Sequence, residues 1–330
     1  MSEQSLSLLA LDGGGVRGLS SLLILRGLME AIDPHNPPKP CDVFDMIGGT
    51  STGGIIAIML GRLRMSVDEC IDRYIRLSDT VFKKTSYLPV RVDGRVKARF
   101  GTKALEQVVK QTVAELWHGD VLSRFLTCRC LRFVCTTSSS DITHTTKLSS
   151  YLNPRRSNDL LPTTKIWEAV RATSAASTFF DPITLGPFGE LFTDGATGAN
   201  NPVRELWTEA GDVWHHLGPL NTSLKCIVSI GTGQSGVPEF GDSLVDVAKA
   251  LKQLAEHSDL VSEDRYFRLN VGRALQGIGL EEAAKVPEIA GATRAYLSSE
   301  AVADLVQRCA NSLRQRCKFF PVSDIHPITC

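Results

Sequence analysis

The sequence predicts an α/β fold, a three-layer α/β/α arrangement around a mostly parallel central sheet. Three observations predict it. Apolar runs of strand length alternate with longer runs of helical apolar spacing, the order expected when helices cover both faces of a parallel sheet. Two of these alternations are glycine-rich strand–turn–helix junctions, Asp12 to Gly18 and Gly48 to Gly54. No linker rich in Pro, Gly or Ser divides the 330 residues, and no internal repeat is present. One domain over 1–330 is therefore expected, with a motif-bearing core over about 6–235 and a mainly helical C-terminal part over about 240–330.

The elements follow in order. Leu6 to Leu11 is a short apolar strand; it enters the glycine loop and then a helical run from Leu19 to Ile32 that stops at Asp33-Pro34. After the Pro-rich loop 34–40, Val43 to Ile47 is expected as a second buried strand and Ile55 to Leu60 as a buried helix. Ser66-Val-Asp-Glu69 is a capping box, and its helix turns Cys70, Ile71, Tyr74 and Ile75 inward. Thr102 caps a helix through Leu105, Val108, Val109 and Val113, and the basic stretch Lys83 to Phe100 before it is expected as a solvated loop.

Cys130 to Thr137 has the alternation of a third strand, and polar 138–164 is a long connection with room for hairpin strands or a cover over a cleft. Ile166 to Ala176 is helical, 183–185 and 190–193 are short strands, and Asn200-Asn201-Pro202 opens a helix with proline in its first turn. Leu224 to Ile230 is the strongest strand of the second half. From Ser243 onward the pattern is mainly helical, ending in a helix over about 299–316.

Thirty-six basic residues balance thirty-six acidic ones, so no overall field draws the chain to nucleic acid. Nine cysteines contain no C-x-x-C pair, and the histidines lack metal spacing beside them; neither a metal site nor a disulfide framework is expected, and no cofactor. Cysteines in apolar runs act as small hydrophobes, which suits a reducing, cytoplasmic compartment. The first residues lack a basic signal region and no apolar run reaches membrane-span length, so the expectation is a soluble chain that meets membranes peripherally.

The chemistry centres on Gly49-Thr-Ser-Thr-Gly53, a G-x-S-x-G pattern at a strand–helix turn. Glycines on both sides permit the tight, strained backbone of a nucleophile elbow around Ser51. A Gly-rich turn in which Ser51 only caps the following helix is the plainer alternative.

The upstream loop admits two readings. As Gly13-x-Gly15-x-x-Gly18 it satisfies the dinucleotide fingerprint, with Asp33 at the spacing of a ribose partner. Asp33, however, adjoins Pro34 at a helix end rather than a strand tip. The same glycines would equally leave amides converging at a helix N-terminus, where an oxyanion is stabilised. If the two βα turns lie side by side at one sheet edge, those amides stand next to Ser51. Arg17 adds a cation able to fork onto a phosphate or to form a surface ion pair.

A serine also needs a base. Asp194, in an Asp-Gly-Ala turn after a short strand, is the leading candidate. The rival is a triad of Ser51, Asp194 and His215 or His216; against it, Ser51 follows only the second strand, and the histidine pair reads as a helix terminus.

Asp12-Gly-Gly-Gly-Val-Arg-Gly18, Gly49-Thr-Ser-Thr-Gly53 and Asp194-Gly195, in this order, resemble the patatin-like phospholipase family. Arg171-Ala-Thr-Ser-Ala-Ala176 and Asn200-Asn201-Pro202 are similar to it as well, and the resemblance covers roughly residues 6–235. It implies a patatin-like α/β/α fold, a Ser–Asp dyad without histidine, an oxyanion hole from the glycine loop and calcium-independent hydrolysis of acyl lipids. Carried over, Ser51 is the nucleophile, Asp194 the base, and Gly13, Gly14 and Gly15 the oxyanion amides. Arg17 supports that loop or touches lipid phosphate, and Gly49 and Gly53 shape the elbow. Ala196 departs from the pattern, since many members have a second glycine there.

The function expected is a phospholipase A-type serine ester hydrolase acting on phospholipid or other acyl-lipid substrates at membrane surfaces. A lone carboxylate is a weak base, so partial burial is expected to raise the pKa of Asp194. Candidate lipid contacts are Phe179-Phe180, Phe188, Leu191-Phe192, and Leu88-Pro-Val90 near Lys83, Lys84 and Arg91, although apolar residues are more often core. The alternatives are a non-catalytic or signalling module on the same fold and a dinucleotide-binding enzyme.

Overall fold

The computed structural model describes residues 5–81, 101–116, 130–138, 141–176, 179–233 and 265–314. The strands are β1 (Leu6–Leu11), β2 (Met46–Thr50), β3 (Leu131–Ser138), β4 (Asp141–Ser149), β5 (Ile183–Leu185), β6 (Glu190–Asp194), β7 (Leu224–Ile230) and β8 (Tyr266–Leu269). They form one sheet in the order β5-β6-β3-β2-β1-β7-β8, with β4 also pairing with β3. β3, β2, β1, β7 and β8 run parallel, whereas β4 and β6 lie antiparallel to β3 and β5 antiparallel to β6. The expected mixed α/β fold with a mostly parallel central sheet is the fold observed.

The helices are α1 (Gly18–Ile32), α2 (Pro40–Val43), α3 (Thr52–Ala57), α4 (Val67–Val81), α5 (Thr102–Leu116), α6 (Ile166–Thr173), α7 (Ala196–Ala199), α8 (Val203–Val213), α9 (Leu220–Ser223), α10 (Val286–Leu297) and α11 (Glu300–Arg314). Alternation along the buried strands divides them into two layers. In β1, Leu9 and Leu11 join a cluster with residues of α1, α3, α4, α5, α6, α10 and α11. Leu8 and Ala10 face the other way, onto Val203, Leu206 and Ala210 of α8 and Leu220 of α9. A strand covered on both faces must be apolar at every position, as the run Leu-Ser-Leu-Leu-Ala-Leu nearly is.

Local chemistry accounts for most boundaries. The Ser66–Glu69 capping box closes reciprocally: the Ser66 N–H donates to Glu69 Oε2 at 2.7 Å and the Glu69 N–H to Ser66 Oγ at 3.2 Å. Buried Cys41, Cys70, Cys130, Cys135, Cys226 and Cys309 form no disulfide among the described residues and pack as small apolar groups.

Two expectations are corrected. The second strand begins at Met46 rather than Val43, because Pro40 starts one helical turn that the Phe44 N–H closes onto the Pro40 carbonyl at 2.9 Å. The buried helix after Ser51 starts at Thr52 and widens into a π turn over Ile58–Arg62. In the C-terminal part, Tyr266–Leu269 adds an edge strand to the sheet. Lys83 to Phe100 and the stretch 243–264 lie outside the described residues, as do Cys128, Cys317 and Cys330 and the histidines 118, 257 and 326. No described helix is long and apolar enough to cross a membrane.

Leu9 is fully buried in the central strand, so Leu9→Ala should cost about 2–5 kcal/mol through lost contact and an unfilled cavity. Arg308→Ala, which breaks an exposed i,i+4 pair, should cost less than about 1 kcal/mol. Urea unfolding of both variants measures the difference.

Candidate active site

β1 and β2 are parallel neighbours in the register Leu11↔Gly49, so the turns that follow them leave the same sheet edge side by side. The first turn is the glycine loop and the second carries Ser51. Ser51 has φ 52° and ψ −123°, a conformation a non-glycine residue holds only under constraint. Glycine is required around it: a Cβ on Gly49 would strike the Gly53 carbonyl, and one on Gly53 would strike the Leu11 carbonyl. The Ser51 N–H donates to Thr173 Oγ1 at 2.9 Å, and the Ile55 N–H closes the first turn of α3 onto the Ser51 carbonyl at 3.0 Å.

Asp194 arrives from the other side of β3. Thr50 pairs with Cys135, and Asp194 pairs with Thr136, one residue further along. The aspartate therefore stands level with Ser51. Its N–H donates to the Ala175 carbonyl at 3.1 Å, and its Oδ1 accepts the Ala196 N–H at 2.8 Å. Ala196 supplies that amide from the first position of α7, so the alanine leaves the turn intact.

The carboxyl is 3% exposed. Burial pushes its pKa up to about 7, partly offset by the Ala196 amide and by the Ser51 hydroxyl, which both favour the charged form. The rise in pKa expected from burial of Asp194 is the direction found here.

The glycine loop is gripped from several sides. Gly15 sits at φ +53°, a conformation glycine adopts freely, and a Cβ there would run into the Leu280 carbonyl. The Gly15 carbonyl accepts from Tyr74 Oη at 2.5 Å and from Thr52 Oγ1 at 3.1 Å, while the Val16 N–H donates to the Leu280 carbonyl at 2.8 Å. Asp12, just before the glycines, forms a two-point ion pair with Arg268 of β8, at 3.0 and 2.5 Å.

The structure corrects one part of the expected oxyanion set. The Gly13 N–H already donates to the Asn200 carbonyl at 3.1 Å. The Gly14 and Gly15 amides have no acceptor among the described residues, which leaves two candidate donors. Gly13 instead makes room, for a Cβ there would meet Asn200 Oδ1 and come to 3.2 Å from Ser51 Cβ. Arg17 is 4% exposed and so lies buried beside the loop rather than on the surface.

The two rival readings lose their geometry. His215 and His216 are exposed on a turn that precedes β7, at the amino edge of the parallel strands and opposite Ser51. His215 Nδ1 lies 2.9 Å from the Asp212 carbonyl. Asp33 ends α1, on the far side of a 15-residue helix from the glycine loop, and its Oδ1 accepts the His35 and Asn36 N–H groups at 3.0 and 3.1 Å. A 15-residue helix is about 22 Å long, too far for Asp33 to reach a ligand at the loop.

Among the lipid-contact candidates, Phe179, Phe180 and Phe192 are core. Phe188 and Leu191 are 79% and 44% exposed, and residues 83–91 lie outside the described set. Thr173, Tyr74 and Arg268 are site residues that sequence reasoning did not single out. Thr173 does lie in the Arg171–Ala176 segment, but Arg268 carries no local signal, since its partner is 256 residues away.

The family model described as Patatin-like phospholipase matches residues 9–207. Calcium-independent phospholipase A2-gamma of Homo sapiens is 32% identical over 238 residues, covering 70% of this chain and 28% of that protein. Phospholipase A I of Arabidopsis thaliana is 25% identical over 354 aligned positions, covering 85% of this chain and 26% of that protein. The chain thus spans less than a third of the length of either relative. The solved structure of human GIVD cytosolic phospholipase A2 aligns over 95% of this chain and 61% of that chain at 10% identity, with a TM-score of 0.44.

The burial of Asp194 has a consequence for stability. With the folded-state carboxyl near 7 and the ordinary value at 3.8, its contribution is fully present below about pH 4. It is lost as pH rises through 7, because the unfolded chain ionises first; the gap is worth roughly 4 kcal/mol. Asp194→Asn cannot ionise. Its melting temperature should exceed that of the wild type by several degrees at pH 8, and the two should converge near pH 4 in a pH series of thermal melts.

Proposed function

Since the chain belongs to the patatin-like phospholipase family, we propose that it is a lipid acyl hydrolase of the phospholipase A type, working through Ser51 and Asp194. The observation that carries this reading is a serine on a strained elbow whose hydroxyl reaches a buried carboxylate that titrates near neutrality. The neighbouring glycine loop supports it with the Gly14 and Gly15 amides, which have no acceptor among the described residues.

In the first step Asp194 takes the Ser51 hydroxyl proton as Oγ bonds to the acyl carbonyl carbon. The carbonyl oxygen becomes an oxyanion facing the Gly14 and Gly15 amides, each able to contribute about 3–4 kcal/mol to its stabilisation. The tetrahedral intermediate collapses, the C–O bond to the lipid alcohol breaks, and the alcohol leaves with the proton held by Asp194. In the second step Asp194 deprotonates a water that attacks the acyl-enzyme. The free acid departs and Ser51 recovers its proton. The developing negative charge is met by amides and a raised-pKa base, so neither histidine nor calcium is assigned a part; the names of the calcium-independent relatives agree with this.

The substrate class is phospholipid or another acyl lipid presented at a membrane surface. Phe188 lies at the turn of the β5–β6 hairpin, and β6 descends from that turn to Asp194, antiparallel to β3. The exposed phenyl therefore rises on the same side of the sheet as the site.

Hydrolysis of phospholipid vesicles and chromogenic esters, with fluorophosphonate labelling, tests the assignment. Ser51→Ala and Asp194→Asn should each lose at least roughly 10³-fold in kcat/KM, and Ser51→Ala should not label. The His215/His216 double alanine should keep wild-type activity. Activity surviving in Ser51→Ala would overturn the mechanism. Because Asp194 must be ionised to act, kcat/KM should rise with pH through about 7 and fall about tenfold per pH unit below it.

A further inference from the structure

Thr173 ends α6 and is fully buried. Its hydroxyl is used twice: Oγ1 accepts the Ser51 N–H at 2.9 Å and donates to the Cys135 carbonyl at 2.6 Å. Cys135 is the β3 residue paired with Thr50, immediately before the nucleophile. Its carbonyl is also the surface against which Gly195 packs, since a Cβ on Gly195 would approach that oxygen to 2.5 Å. Two residues after Thr173, the Ala175 carbonyl accepts the Asp194 N–H at 3.1 Å. Residues 173–175 therefore bond to the backbone of both Ser51 and Asp194, which lie 143 positions apart in the chain (194 − 51).

From this geometry we propose that Thr173 is a positioning residue that sets how Ser51 faces Asp194, a role that rests on the dyad reading above. Ser51 precedes the first turn of α3, so its N–H has no partner within the helix. Its backbone conformation costs about 1–3 kcal/mol and persists only where neighbours impose it. A single acceptor on that N–H fixes the orientation of the Thr50–Ser51 peptide and with it the direction of the Cα–Cβ bond. Because the same hydroxyl is tied to the Cys135 carbonyl, the elbow is referenced to β3, the strand that pairs with β6 and against which the aspartate turn packs. Thr173 touches no reacting atom; it acts through Ser51. A displacement of about 1 Å at a nucleophile is enough to cost roughly 10²-fold in rate.

Thr173→Val keeps the shape and removes the hydroxyl, while Thr173→Ser keeps the hydroxyl. Both are compared with wild type and Ser51→Ala for kcat and KM on a soluble chromogenic ester and for the rate of fluorophosphonate labelling, each corrected for folded fraction from thermal melts. Thr173→Val should lose roughly 10- to 100-fold in kcat and in labelling rate, with KM within about twofold. Thr173→Ser should stay within about threefold of wild type, which a purely packing role for the methyl group would not produce. If Thr173→Val does not fold, Thr173→Cys takes its place: a weak sulfur acceptor should give an intermediate loss in kcat, and wild-type kcat in that variant overturns the role. Wild-type labelling by folded Thr173→Val, or equal impairment of the Val and Ser variants, also overturns it. A wild type that labels no faster than Ser51→Ala overturns the hydrolase reading, and this role with it.

Discussion

Everything at the site depends on a backbone that would not hold its shape alone. Ser51 stands at φ 52° between two buried elements, and three features impose that angle. Gly49 and Gly53 lack the atoms that would clash across the turn. α3 begins at once and closes its first turn onto the Ser51 carbonyl. Thr173 accepts the Ser51 N–H, which has no partner within α3. A sharp turn here directs the hydroxyl out of the sheet edge, where a regular strand or helix would have turned it into the apolar layers on either face.

The second constraint is electrostatic. Asp194 is enclosed among Ala175, Ala196 and the glycine turn, with two hydrogen-bond donors, the Ala196 amide and the Ser51 hydroxyl, directed at its carboxyl. Burial outweighs those donors and holds the acid near neutrality, which destabilises the folded chain at high pH and, in the proposed mechanism, makes the group basic enough to take a serine proton. Stability and chemistry thus pull against each other at the same side chain.

The part of the chain beyond the family match at 9–207 is built into this site rather than appended to it. Arg268 on β8 pairs with Asp12, Thr232 Oγ1 donates to the Gly13 carbonyl at 2.7 Å, and Leu280 receives the Val16 N–H. The glycine loop has little side-chain volume of its own to hold it in place. Thr232, Arg268 and Leu280 supply part of the hydrogen-bonding frame around it.

Strand and helix order and the glycine turns were legible in the linear chain because their causes are local, and Ser51 and Asp194 could be named there as candidates. Apolar period marks β1, α1 and β7; Ser66 and Glu69 cap their own helix; and a serine flanked by glycines is tied to a tight turn by sterics alone. The start of β2 was misplaced by three residues because Phe44 and Val43 are apolar in a helical turn as well as in a strand, and periodicity over so short a run cannot separate the two. Tertiary structure alone decided the rest. It put Asp194 level with Ser51 through β-pairing, engaged the Gly13 amide with Asn200, moved His215 and His216 to the opposite edge, and joined Thr173 to the nucleophile. Each is a hydrogen bond or a register between residues far apart in sequence, and a lone threonine or arginine has the same local pattern whether its partner is present or not.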